Sequence, residues 1–282
     1  MSGTMLSFYR IWIQFLFFIA PNKAAWRVLM LFATPRIRKS REREIEALAK
    51  ATAKDISVNG KRIRTYCWGK DAPEVLLVHG WEGRAGNMAG FALEFEKLGI
   101  SSLAFDAPAH GDSEGKRSTL FAYADVMAEI FAQHPSIRIL VSHSFGSAAS
   151  VYTLARKKHS VKQLVLLSTP DNLIDAFNEF YALLKLKPKQ QERIYKFFEA
   201  NFGYKASELQ VSRDASRTNV EQAVLLHDRN DSQIPFANAL KVSDAWPMLK
   251  LIPLQDVGHY RMLWNDEVMR IVFEELDLKA AH

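Results

Sequence analysis

Leu140-Val141-Ser142-His143-Ser144-Phe145-Gly146-Ser147-Ala148 is the stretch on which the reading of this chain turns. It closes an apolar run, Ile137 to Val141, and opens a helical pattern from Gly146 to Lys157. A serine at such a strand-to-helix turn is a candidate nucleophile. The turn is tight, so the residues two before and two after the nucleophile must be small. With Ser144 as nucleophile those places hold Ser142 and Gly146; with Ser142 they would hold Leu140, which would clash. Ser142 stands where such turns usually carry glycine. A serine that merely caps a helix leaves a similar trace, so the reading rests on what the other strand ends carry.

Outward from this turn, short apolar runs alternate with amphipathic ones. Val75–Val78, Ser102–Phe105 and Ile137–Val141 each precede a helical pattern, and Val161–Leu167 follows. Gln222–Leu226 and Leu249–Leu254 read as two further strands, each followed by a helix. Apolar strands separated by helices predict an α/β fold, a mostly parallel sheet covered on both faces. Upstream, Asn59-Gly60 between alternating residues predicts a hairpin, Ile56–Val58 with Lys61–Trp68, and Ser40–Ala53 has helix-forming composition. Between Pro170 and Asn219 the pattern is helical and aromatic-rich, as expected of a lid inserted at a strand's carboxyl end. The expected division is an apolar, basic helical extension over 1–54, a core over 55–170 and 220–282, and a helical lid over 171–219.

Sites in such sheets lie beyond the carboxyl ends of the strands. After Val78 comes His79-Gly80-Trp81, where glycine lets the loop fold over the turn at Ser144. The backbone N–H groups of Trp81 and Phe145 would then form an oxyanion hole, with His79 bracing the loop. His259, between Gly258 and Tyr260 after the last strand, is the candidate base; His110 and His143 are read as structural, His143 pointing away from the nucleophile. The candidate acid is Asp231, in the loop after the penultimate strand. Asp228 organises that turn, and Asp171 is the alternative acid.

The chain has 282 residues and a net charge of +6, with much of the excess between Lys23 and Arg43. That local basicity suits an anionic membrane surface better than a nucleic-acid groove, and no nucleic-acid partner is expected. Cys67 is the one cysteine, so no intrachain disulfide is possible; within its strand-like run it reads as a buried structural thiol. No CxxC or HExxH appears, and neither metal nor cofactor is expected. Ile11–Ala20 and Trp26–Ala33 are apolar, but each is shorter than the roughly 18–20 residues that span a bilayer. A signal peptide fits poorly, with Arg10 as the sole early charge. The expected location is cytoplasmic. Packing of residues 1–36 against the body is preferred over peripheral membrane contact, which stays open.

HGW at His79, DAPAHGDSEG at Asp106, SHSFG at Ser142 and GHYRML at Gly258 occur in that order. Together they resemble the α/β-hydrolase superfamily over Asp55 to Leu276, and their wording is similar to a bacterial subgroup of it. The resemblance implies a serine hydrolase with the triad Ser144, Asp231 and His259, in the chain order this fold uses. It implies acyl transfer to water from a small-molecule carboxylic ester or thioester. An acyltransferase and a non-catalytic docking protein are the alternatives. Phe177, Phe180 and Tyr181 in the lid would favour an apolar acyl group.

Overall fold

In the computed structural model, which describes residues 3–36, 39–70 and 72–278, the Asn59-Gly60 pair turns the chain as expected. Both residues have positive φ, 50° and 71°, the backbone that a two-residue hairpin turn requires. The turn joins β1 (Thr52–Val58) to β2 (Lys61–Trp68). Six strands follow: β3 (Val75–Val78), β4 (Ser102–Phe105), β5 (Ile139–His143), β6 (Ser160–Leu167), β7 (Asn219–Asp228) and β8 (Leu249–Leu254). Among the described residues they form one eight-stranded sheet in the order β1-β2-β4-β3-β5-β6-β7-β8. β1 and β2 are antiparallel to their neighbours and the rest is parallel. The expected α/β architecture is therefore the one that forms. β3, β4 and β5 are buried at every position, which is why their sequences run apolar rather than alternating.

β3 lies between β4 and β5, so the connections leaving β3 and β5 run to opposite sides. A crevice opens at such a switch point, at the carboxyl ends of the strands. Helices α3 (Glu42–Leu48), α4 (Ala85–Lys97), α5 (Leu120–Gln133) and α6 (Phe145–Arg156), with α9 (Val211–Ala215), α10 (Ala237–Ala245) and α11 (Asp266–Glu275), complete the core unit. Met88, Phe91 and Phe95 of α4 and Val268, Met269 and Val272 of α11 belong to one buried hydrophobic cluster. Each fully buried large side chain stabilises the fold by roughly 1.5–3 kcal/mol.

The chain divides into two compact units, Pro35–Asp171 with Val211–His282, and Met1–Thr34 with Asn172–Gln210. The second is helical: α1 (Gly3–Ile19), α2 (Pro21–Phe32), α7 (Leu173–Leu184) and α8 (Pro188–Phe202). α2 buries Ala24, Ala25, Val28 and Leu29, and Phe32 packs 4.5 Å from Phe177 between ring centroids. The Arg10 guanidinium donates to the Leu183 carbonyl (2.9 Å), and the Gln190 amide donates to Gln14 (2.8 Å). The N-terminal extension thus shares an interior with the insertion, a pairing that periodicity alone does not specify.

Two local expectations are corrected. The helix expected over Ser40–Ala53 is only Glu42–Leu48, because Thr52, Ala53 and Lys54 pair with Cys67, Tyr66 and Thr65, and strand pairing outweighs helix propensity. Cys67 is half-buried rather than buried, and its thiol donates to the Lys70 carbonyl at 3.3 Å.

Candidate active site

Ser144 sits where β5 passes into α6, with φ 53° and ψ −123°. That left-handed backbone is costly for a residue with a side chain, on the order of 1–3 kcal/mol. The surroundings enforce it: the Ser144 N–H donates to the Leu167 carbonyl (2.8 Å), and the Ser147 hydroxyl donates to the Ser142 carbonyl (2.8 Å). A Cβ at Gly146 would lie 2.4 Å from the His79 carbonyl oxygen, and one at Gly80 would lie 3.0 Å from the Ser144 Cβ. At Gly146 the smallness demanded on sequence grounds is thus a matter of backbone packed on backbone. It also sets the loop carrying Trp81 against the serine, with the Trp81 and Phe145 rings 5.3 Å apart.

The structure brings Ser144, His259 and Asp231 together. Ser144 Oγ lies 3.1 Å from His259 Nε2, and His259 Nδ1 lies 2.7 Å from Asp231 Oδ2. All three residues are buried. Burial by itself raises the Asp231 carboxyl, but the hydrogen bond and charge of His259 and the N–H groups of Ile234 and Gln233 outweigh it. They hold that carboxyl well below the usual range. An ionised Asp231 only accepts, so Nδ1 carries the imidazole proton and Nε2 accepts from the Ser144 hydroxyl.

The neighbouring acids have other occupations. Asp228 accepts from the N–H groups of Asn230 (2.9 Å) and Asp256 (3.1 Å) and from that of Gly258, so it fastens the loop that carries His259. Asp171 accepts from the Ser212 N–H (2.9 Å). Asp106 is buried, which raises its carboxyl to about 6, against the lowering effect of the Asp112 and Ala85 N–H groups.

His79, His110 and His143 frame the site as neutral rings, and the buried His227 lies with Nε2 3.9 Å from Asp231 Oδ2. His79 Nε2 accepts from the Ala107 N–H (3.0 Å), leaving Nδ1 to donate to the Gly80 carbonyl (2.7 Å); the ring ties the loop after β3 to the loop after β4. Burial lowers His110 to about 4, and its Nε2 accepts from the Glu82 N–H (3.2 Å). His143 is lowered to about 3 by burial and then by the charge of His259. Its Nε2–H points to the His259 backbone carbonyl, so its partner is the loop of the candidate base.

Sequence reasoning did not find Arg36 and Glu82. The Arg36 N–H and Nε both donate to Glu82 Oε1, at 3.2 and 2.7 Å, and Glu82 follows Trp81 with φ 57°. Among the lid candidates, Phe177 and Tyr181 are buried and stacked on each other at 5.7 Å, while Phe180 lies 5.4 Å from Phe32. All three therefore pack within the helical unit. No group of three or more His, Cys, Asp or Glu among the described residues is placed to hold a metal.

A family model for the alpha/beta hydrolase fold matches residues 73–247. Among solved structures, the chain is similar to Est1E of Butyrivibrio proteoclasticus, solved with ferulic acid bound. The identity is 16%, over 80% of this chain and 100% of that chain, with a TM-score of 0.60. It is similar to an esterase of Pyrococcus furiosus at 18% identity, covering 87% of this chain and 96% of that chain, with a TM-score of 0.61. A membrane phospholipase A, described as a bacterial virulence factor, gives 16% identity, 98% coverage of each chain and a TM-score of 0.61. Identities this low speak to the fold alone. No curated protein sequence matches. With the family model covering more than half of its length, the chain belongs to the α/β-hydrolase fold family.

Proposed function

We propose that the protein is a serine hydrolase that cleaves a carboxylic ester or thioester through an acyl-enzyme on Ser144. The observation that carries this reading is the unbroken line from Ser144 through His259 to Asp231, at 3.1 and 2.7 Å. In this mechanism His259 Nε2 takes the Ser144 proton as Oγ attacks the acyl carbon. The backbone N–H groups of Trp81 and Phe145 receive the developing oxyanion; one such donor is typically worth about 3–4 kcal/mol. The imidazolium then gives its proton to the departing alcohol or thiol. Water, deprotonated by His259, attacks the acyl-enzyme, releases the acid and restores Ser144. Asp231 stabilises the imidazolium and fixes the ring's tautomer. Esterases among the similar structures support an ester as the substrate class.

The test is covalent labelling by a fluorophosphonate: labelling of wild type and loss of label in Ser144→Ala is the expected result. Equal labelling of the two proteins would remove Ser144 from this role. Peripheral contact with a membrane through residues 1–36 is part of the same proposal, supported by the basic charge of that segment and by the name of the similar membrane phospholipase A.

A further inference from the structure

α1 presents an apolar face that its own unit does not cover. Phe8, Ile11, Trp12, Phe15, Phe18 and Ile19 recur at steps of three and four, the spacing of one helix face, and all six are exposed. Phe8 is 76% accessible, Phe15 58% and Phe18 86%. Single exposed apolar residues are ordinary, but six on one face form a patch that marks a contact surface. The opposite face is fixed. Ile13 is buried, the Arg10 guanidinium and the Gln14 amide donate to the Leu183 and Lys185 carbonyls, and Gln14 accepts from Gln190. The stripe is held facing outward by bonds on its back.

Charge selects the occupant. The first 41 residues hold seven Lys and Arg and no Asp or Glu, a local charge of +7 in a chain whose total is +6. Lys23 and Arg27 are exposed at the start of α2, with the exposed Trp26 between them. A second copy seated on the stripe would set two such basic segments side by side. A surface of lipid phosphates would neutralise them. No helix among the described residues is long and apolar enough to cross a membrane, and the stripe itself extends only about 16 Å along the helix axis.

We propose that the protein docks on an anionic lipid bilayer by laying the Phe8–Ile19 face of α1 into the boundary between headgroups and acyl chains, parallel to the surface. Lys23 and Arg27 then meet lipid phosphates. This deepens the membrane contact proposed for residues 1–36 and is independent of the chemistry at Ser144.

The test is co-sedimentation of the full-length protein with phosphatidylcholine vesicles, either pure or containing about one-third phosphatidylglycerol. Wild type, the double variant Phe15→Glu/Phe18→Glu and the double variant Lys23→Glu/Arg27→Glu are compared, with circular dichroism melts to verify folding. Wild type is expected to pellet with the anionic vesicles and far less with the neutral ones. Each double variant is expected to lose roughly tenfold or more in partitioning. High salt weakens wild-type binding. If the Phe variant binds like wild type, the stripe is not the docking face, although membrane contact itself would stand. If wild type pellets with neither vesicle, both the stripe and the membrane contact are overturned. A lipid-free dimer that the Phe variant abolishes, seen by analytical ultracentrifugation without vesicle binding, would assign the face to a second copy instead.

Discussion

The His143 ring donates its Nε2–H to the backbone carbonyl of His259 at 2.9 Å, so the residue just before the proposed nucleophile holds the loop of the proposed base. The two rings lie 4.6 Å apart. Removing this donor in His143→Ala leaves a buried carbonyl without its partner and loosens His259, a loss of about 1–1.5 kcal/mol. kcat/KM on a soluble ester is expected to fall about tenfold, while fluorophosphonate still labels Ser144. Gln at this position keeps a donor and should recover part of the rate. If Ala and Gln behave alike, the hydrogen bond is not what positions the base.

Asp231→Asn should lower kcat by roughly 10³–10⁴-fold with little change in stability, because an amide can donate to Nδ1 and so stabilise the wrong tautomer. Steady-state kinetics alongside a urea melt separate the two effects. Asp171→Asn should leave kcat within a few-fold of wild type, since that carboxylate accepts from Ser212.

Gly146→Ala places a methyl carbon 2.4 Å from the His79 carbonyl oxygen, a backbone atom that is not free to move aside. A loss of at least ~2 kcal/mol in stability is expected from such overpacking, together with loss of activity. Chemical denaturation followed by circular dichroism checks it.

Acid should weaken the fold before it protonates ordinary carboxylates. Burial depresses His143 to about 3 and His110 to about 4. Between pH ~6.5 and those values the unfolded chain binds protons that the folded one refuses, so stability falls as pH is lowered. Asp106, raised to about 6, acts in the opposite direction, gaining a proton in the folded state first. From pH 7 to 5 these two histidines, joined by His79 and His227, which burial also lowers, outweigh the one carboxyl, and a net loss of a few kcal/mol is expected. Urea midpoints at pH 7 and 5 give the sign directly; a rise in acid would mean these rings are not held neutral.

Arg36→Ala tests the clasp on Glu82. Its side chain is mostly in solvent, so stability should change by no more than about 1 kcal/mol. Glu82 adjoins Trp81, and kcat is expected to fall several-fold with KM nearly unchanged. Unchanged kcat would show that the loop holds its shape without the clasp.

Much of the architecture and of the candidate site was legible because steric rules act locally. The size limits at Ser142 and Gly146 pick out Ser144 as the candidate, and each other candidate residue follows a strand whose apolar run marks its end. What stayed hidden depends on partners distant in sequence. Nothing in Arg36 announces Glu82, and nothing in His143 announces the His259 carbonyl, since either side chain suits an ordinary exposed or buried role. The N-terminal helices read as apolar on most sides, and only the structure separates the face of α1 held by Gln14 and Ile13 from the face carrying Phe18. Thr52 and Ala53 read as helix for the same reason: their strand state is conferred by Cys67 and Tyr66.

The helical unit draws on residues 1–34 and 172–210, and this division imposes an order on biosynthesis. α1 and α2 leave the ribosome about 140 residues before α7 and α8 exist to receive them, an interval of roughly 7–30 s at ordinary elongation rates. Throughout that wait the two apolar segments have no interior of their own unit to enter. The helical unit therefore closes only after the six strands β1 to β6 have been made.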